Sequence, residues 1–517
     1  MLKSTLLAGL AFLVNTPFLG AQAAPGCTPK TFTNPVLYED FPDNDISTGP
    51  DGAFYFSASN FHYSPGAPIL RSYDLVSWEF VGHSIPRLNF GDGYNLPATG
   101  ERAYRGGTWA STLRYRKSNK TWYWIGCTNF WITWVFTAPN PEGPWTQAAN
   151  LGGGVCFYDN GLLIDDDDTM YVVYTYDGGK QVNVTQLAPD GLSIARTEKV
   201  LVPGQVGADS VEGNRMYKIN GTYYILNDHP GSTAYVWKSA SPWGPYEGKP
   251  LADSVASPVP GGGAPHQGSL IQTPRATGRR LPHPRHQRHQ RRLGHPLPAP
   301  LPAAKPLNFP WTRSYAFTAL TSLPPTFEWN HNPDTSKYAL SPDTGLTLST
   351  ASVTADLYAA RNTLTHRVHG EFPSAAVELD VSRMADGDRA GLAAFRDRSA
   401  YVGVHRDGTS LQIAAVFNQT IDEWSGTTLD LGTLKQAVPL PAGTKKVWFR
   451  ASMDARASGD HKARFEYSLD GAAFVAVGGV YDLYTGWAFF LGYRWAVFNY
   501  ATKALGGSVG VASFTVA

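Results

Sequence analysis

The sequence predicts an all-β protein of two domains: a five-bladed β-propeller whose fifth blade is disrupted, followed by a β-sandwich of the jelly-roll kind. Three observations carry this. A unit of two hairpins recurs in the first half of the chain at roughly 50 to 60 residues, the length of a propeller blade. Apolar alternation at period two is common, whereas long runs at the helical period are lacking. Beyond residue 307 the strands shorten and the turns fall at the spacing of a sandwich.

The N-terminal residues 1–23 read as a secretory signal peptide. Lys3 supplies the positive end, Leu6 to Leu19 the apolar stretch and Ala21-Gln22-Ala23 the cleavage site. Asn15 and Pro17 interrupt the run, which argues against a membrane anchor. A secreted, extracellular protein is therefore expected. The sequons at Asn119, Asn183, Asn220 and Asn418 agree with a eukaryotic secretory route. Cys27, Cys127 and Cys156 permit one disulfide at most, and the pairing is not readable. A net charge of +1 offers no handle for nucleic acid or a membrane surface, so neither partner is expected. A monomer is expected.

The propeller spans residues 27–274. Its repeat is clearest at residues 211–226, where Met216, Tyr217 and Ile219 form one strand, Asn220-Gly221 the turn, and Tyr223, Tyr224 and Ile225 the return. The same pattern places Asp51-Gly52 before Phe54-Tyr55-Phe56, Asn119-Lys120 before Trp122-Tyr123-Trp124, and Asp167-Asp168 before Met170-Tyr171-Val172. A second hairpin follows each, two of them closing on a Gly-Pro-aromatic turn that ends at Trp145 and Tyr246. A fifth unit opens at Gly261 and carries His266, but where an aromatic strand is due Gly278 stands instead.

Residues 275–306 are rich in Arg, His and Pro and contain no acid. They lack the alternation a blade strand needs. A polyanion-binding insertion, a disordered linker and out-of-frame translation are the three readings. The third fits best, because the composition changes abruptly and the repeat stops in mid-hairpin. Residues 307–517 then resume with short alternating runs, such as AAVELDVS, YVGVHRDG and ARFEYSLDG, parted by Asp407-Gly408 and Asp470-Gly471.

Counting back twelve residues from the central tyrosine of each returning strand gives Glu212, Asp159 and Asp43, and in the remaining unit Ser111, just past Trp109. Equivalent positions in blades meet near the propeller axis. Three acids distant in sequence should then share one cavity. Paired carboxylates are the equipment of glycoside hydrolysis, one ionised as base or nucleophile and one holding a proton to donate. Glu212 is the candidate acid, Asp43 the candidate base, and Asp159 a neighbour able to raise the acid's pKa by like-charge repulsion. Asp45 shares the strand face of Asp43 and rivals it.

The segments NPVLYEDFPDND, WASTLRYR, YDNGLLIDDDDTMYVVY, VEGNRMYKINGTYYIL and APHQGSL resemble glycoside hydrolase family 43. FEWNHNPDTSKYAL, DLYAARNTLTHR and GDRAGLAAF resemble the concanavalin-like C-terminal domain of its xylan-acting members. The resemblance implies a five-bladed propeller and an inverting mechanism, with Asp43 as base, Asp159 as pKa modulator and Glu212 as acid. It implies a substrate of arabinoxylan or xylo-oligosaccharide, and release of α-L-arabinofuranosyl or β-xylosyl residues. The fungal arabinoxylan arabinofuranohydrolases are the nearest type. A β-xylosidase is the alternative activity. A catalytically impaired carbohydrate-binding protein, made so by the damaged fifth blade, is the alternative of another class. Trp109 is a candidate to stack a sugar face, with Phe61 and Tyr158 as weaker ones. His266 maps to a histidine in the central channel of the family, near a water or a calcium ion. A structural calcium is thus one reading of His266, and no organic cofactor is required. The acidic run at 165–168 is explained as a hairpin turn.

Overall fold

Each of the first four sequence units folds as a four-stranded antiparallel sheet, because each supplies two apolar hairpins that bury both faces against neighbouring blades. Blade one consists of Asp45–Thr48, Phe54–Ser57, Gly66–Ser72 and Trp78–Ile85. Blade two runs Thr108–Arg116, Thr121–Thr128, Ile132–Ala138 and Thr146–Leu151. Blade three runs Tyr158–Ile164, Met170–Tyr176, Gln181–Leu187 and Ile194–Leu201. Blade four runs Glu212–Ile219, Thr222–His229, Thr233–Ser239 and Glu247–Asp253. The first strand of each is innermost. The Asn220-Gly221 turn has both residues at positive φ, 51° and 78°, as its sequence demanded. The computed structural model describes residues 31–253, 267–271, 297–298, 307–487 and 489–517.

Among the described residues the expectation of five blades is corrected to four. Past Asp253 the described part of the propeller holds residues 267–271, which are not a strand, and Leu297–Pro298, which pairs with Thr31–Phe32. The physical reason lies in the Arg/Pro-rich sequence, which has neither the alternation nor the free backbone donors of a blade. The signal peptide, Cys27, His266 and nearly all of 275–306 lie outside the described residues, so the readings placed on them do too. Residues 267–271 nonetheless link blade four to blade one. The Leu270 amide donates to the Tyr217 hydroxyl at 2.9 Å, and Ser269 Oγ accepts from the Ile46 amide at 3.1 Å.

The C-terminal half is the expected sandwich, whose described strands supply all eight of one sheet and seven of the eight of the other. One sheet centres on Ser374–Asp380 and Ser508–Val516, the other on Asp388–Phe395 and Arg494–Ala501. Val377, Leu392, Val402, Phe449, Val497 and Phe514 form its apolar interior. The second sheet does not end within the sandwich. Its edge strand Phe327–Asn330 pairs with Tyr63–Ser64 of the propeller, Trp329 opposite Ser64 and Asn330 opposite Tyr63.

A buried ionic cluster reinforces this junction. Glu328, fully buried on the sandwich side, accepts from Arg367 at 2.7 Å, from Arg494, and pairs with His83 of blade one at 2.7 Å. Arg367 and Arg494 also donate to Asn60 Oδ1, at 2.6 and 3.1 Å. Burial alone would raise the Glu328 pKa, but the two guanidinium groups and His83 outweigh it and hold the carboxyl well below the usual range. A disulfide joins Cys127 to Cys156, tying blade two to the entry of blade three.

Candidate active site

Three inner strands start with the same irregularity. The pairing register slips between Thr108 and Ser111 in blade two, between Tyr158 and Gly161 in blade three, and between Glu212 and Arg215 in blade four. A bulge of this kind turns a side chain out of the ladder, and it recurs beside active sites. Here it aims residues at the axis. The register also refines the repeat. Glu212 is the counterpart of Tyr158, and Asp159 is the counterpart of Gly213, one position away from the twelve-residue count. The turn at 165–169 is longer than Asn220-Gly221, which accounts for the slip.

The three acids still converge. Asp159 is 5% exposed, and its pKa is pushed well above the ordinary value by burial first, then by the charges of Glu212 and Asp43. The Tyr158 hydroxyl is pushed up by Asp159 first, then by burial, Glu212 and Asp43. One aspartate and one tyrosine thus sense both other carboxylates. Asp159 Oδ2 accepts from the Gly213 amide at 3.0 Å and from Gln267 Nε2 at 2.9 Å. Asp43 is half-buried and accepts from Ser59 Oγ at 2.5 Å. Asp43 and Asp159 have φ of 60° and 50°, a backbone region that non-glycine residues rarely occupy and that concentrates at functional sites. Glu212 is half-buried at the head of its strand.

Asp45 does not rival Asp43. It is fully buried and accepts from Arg114 at 2.5 Å, from Thr112 at 2.7 Å and from the Leu113 amide at 3.1 Å. Burial pushes its pKa up, but Arg114 and Arg215 outweigh burial and hold it below the ordinary value. It is a structural anion. Arg215, also fully buried, donates to the carbonyls of Asn160 at 2.8 Å and Asn44 at 2.9 Å, and to Gln267 Oε1 at 3.3 Å. One guanidinium therefore holds together the segments bearing Asp43, Asp159 and Glu212. Arg215 and Gln267 were not singled out from the sequence. Each stands beside a residue that was, Arg215 in the Glu212 motif and Gln267 next to His266.

The aromatic candidates divide. Phe61 is sealed, its ring edge-on to Trp109 at 4.9 Å and to Phe489 of the sandwich at 5.2 Å. It presents no face to a sugar. Trp109 is 5% exposed and donates from Nε1 to the Arg105 carbonyl at 3.1 Å, so it supports the floor. Tyr158 belongs to the acid cluster through its hydroxyl and stacks on Phe130 with centroids 6.4 Å apart. From Phe130 the rings continue onto the sandwich. Trp424 lies 6.3 Å away, Arg105 covers Trp424 with its guanidinium carbon 3.2 Å from the ring centroid, and Trp487 lies 4.9 Å from the same carbon. Trp424 and Trp487 are each 62% exposed. No repeat marks these two loops, so sequence periodicity could not find them.

The turn at 165–168 is a hairpin turn held by ion pairs, Asp165 with Lys218 at 2.6 Å and Asp168 with Arg116 at 2.5 Å. Among the described residues no group of three or more His, Cys, Asp or Glu side chains is placed to hold a metal ion. No helix among them is long and apolar enough to cross a membrane.

A propeller that gathers mutually repelling carboxylates at its axis, beside a line of exposed tryptophans, defines a glycosidase. The comparisons agree. Residues 32–291 match glycosyl hydrolases family 43, and residues 314–517 match the β-xylosidase C-terminal concanavalin A-like domain. A solved family 43 enzyme, described as engineered to display both endo-xylanase and exo-arabinofuranosidase activity, is 39% identical with a TM-score of 0.87, over 94% of this chain and 100% of that one. A non-reducing end α-L-arabinofuranosidase of Bacteroides ovatus is 34% identical over 43% of this chain and 41% of its own length, so the match spans less than half of that relative. A β-xylosidase of Formosa agariphila is 25% identical over 94% of this chain and 90% of its own. The chain belongs to glycoside hydrolase family 43 and hydrolyses O-glycosyl bonds.

Proposed function

We propose that this enzyme removes α-L-arabinofuranosyl residues from arabinoxylan with inversion, and that it is secreted. The observation that carries the reading is the electrostatic meeting of Asp43, Asp159 and Glu212. Burial and the charges of Glu212 and Asp43 push the Asp159 carboxyl well above its ordinary value, so the site favours holding a proton there. Asp159 is too enclosed to reach a glycosidic oxygen, being held by Gly213 and Gln267. Glu212, at the rim, delivers the proton to the leaving oxygen of the xylan. Asp43 takes a proton from a water whose oxygen bonds to the anomeric carbon as the glycosidic C–O bond breaks. Inversion requires about 6.5–9.5 Å between the two carboxyls for that water. The exposed faces of Trp424 and Trp487 suit the C–H faces of a sugar backbone beside the pocket. The Cys127–Cys156 disulfide fits an oxidising, extracellular setting.

The likeness to the 39% identical structure supports an arabinofuranoside. The relative from Formosa, matched over nearly its whole length, favours a β-xylosidase as the second reading. Hydrolysis of 4-nitrophenyl α-L-arabinofuranoside and 4-nitrophenyl β-D-xyloside separates them, and proton NMR of the first sugar anomer released decides the stereochemistry. Preferred cleavage of the arabinofuranoside with inverted product is expected. Cleavage of neither, with xylan still bound, would make the protein a carbohydrate binder.

A further inference from the structure

Away from the acid cluster, a cavity of about 400 Å³ opens between residues 35–40 of the propeller and the sandwich loops near 454–461 and 483–493. That volume falls in the range of small-molecule sites. Its walls combine the rings of Tyr38, Tyr484 and Tyr493 with the polar groups of Asp454 and His461.

The charges in these walls are already matched within the protein. Asp454 pairs with Arg456 at 2.6 Å, Arg396 with Asp397 at 2.8 Å, and Asp40 with Arg367 at 3.1 Å. Glu39 pairs with His369 at 3.2 Å. Every Asp, Glu and Arg among the described lining residues thus has an ionic partner within the protein, which disfavours selection of a phosphate, a carboxylate or a metal cation. Polar atoms and aromatic surface remain, held firmly. Tyr493 accepts from the Tyr484 amide at 2.9 Å, and the Arg398 guanidinium lies 3.8 Å from the Tyr484 centroid. Asp454 is fixed further by the amides of Arg456 at 3.1 Å and Asp460 at 3.0 Å. Rigid rings with interspersed carboxylate, imidazole and phenol groups are the chemistry that recognises a neutral sugar, whose hydroxyls both donate and accept and whose C–H faces pack on rings.

We propose that this domain-junction cavity is a second carbohydrate site, separate from the acid cluster, which takes a unit of a neutral pentose oligosaccharide. The identity of the sugar rests on the reading of the enzyme as one that works on a pentose polymer; the neutrality of the ligand does not. The site lies close to the catalytic segment in sequence, since Asp40 lines the cavity and Asp43 follows three residues later.

The test uses the full chain carrying Glu212→Gln, titrated with xylotriose by calorimetry. Two binding steps are expected. Adding Ala457→Trp, which fills the cavity, should weaken one step at least tenfold, and Tyr484→Ala should do the same by removing a wall. Ala457→Trp alone should cleave aryl arabinofuranoside at the normal rate. The proposal is overturned if either variant, with an unchanged melting temperature, binds xylotriose as the Glu212→Gln parent does. Thr485→Trp at the exposed lip serves in their place if both melt early, with the same two outcomes. Loss of xylotriose binding in these variants, in a wild type that cleaves no aryl glycoside, would retain this site and reject the catalytic reading.

Discussion

Gln267 Nε2 donates to Asp159 Oδ2 at 2.9 Å, joining the chain that leaves blade four to an acid of blade three. The same glutamine accepts from Arg215 at 3.3 Å, and its amide donates to Asp228 at 2.9 Å. Among the described residues where a fifth blade was expected, Gln267 braces the acid cluster. Replacing it by leucine should lower kcat about tenfold with a smaller change in KM, and should shift the pH–rate profile, because the hydrogen bond to Asp159 is lost. A merely structural role would leave the profile in place.

Glu212→Ala should lower kcat/KM by about 100-fold to 10,000-fold on natural linkages, the usual worth of a general acid. On a 2,4-dinitrophenyl glycoside, whose leaving group needs no protonation, the loss should shrink sharply. Asp43→Ala should be equally impaired on both substrates. Full activity in Glu212→Ala would remove the acid assignment.

Asp159 gives a stability prediction whose sign follows from its raised pKa. The folded protein binds this proton more tightly than the unfolded chain, whose Asp titrates near pH 3.9. Stability is therefore lost as pH rises from that value through the folded pKa. Asp159→Asn should raise the melting temperature by a few degrees at neutral pH and by little below about pH 4, while activity falls. A scan of melting temperature against pH checks it.

Glu328→Gln should destabilise the protein by about 3 kcal/mol or more, since it strips a countercharge from two buried guanidinium groups. The depressed carboxyl contributes stability above its ordinary pKa, which is lost as pH falls. Urea unfolding followed by tryptophan fluorescence measures the change.

Trp424→Ala should raise KM for polymeric arabinoxylan several-fold and leave the aryl arabinofuranoside almost unaffected, because only the polymer reaches beyond the pocket. Equal effects on both substrates would place Trp424 in the support of the pocket.

Much of this was legible in the sequence because blades repeat. One offset pointed to Asp43, Asp159 and Glu212, and Asp159 does feel the charges of the other two; the apolar alternation of 375–382 or 463–471 announced strands that the sandwich contains. The offset erred by one residue between blades three and four, since turn length, which it ignores, changes the register. The fifth blade failed as a count because a repeat says where a unit should stand and not what replaces it. Arg105, Trp424 and Trp487 were unreadable for another reason. They meet through space from loops without periodicity, and only the docking of two domains brings them together.

That docking includes Tyr63–Ser64, the two-residue strand that finishes the sandwich sheet. A short terminal strand blunts an edge that would otherwise recruit foreign chains. The sandwich severed from its partner would present bare amides and carbonyls along Phe327–Asn330, and copies of the fragment would zip to one another there. The propeller thus shields a sheet edge that the sandwich on its own would leave open.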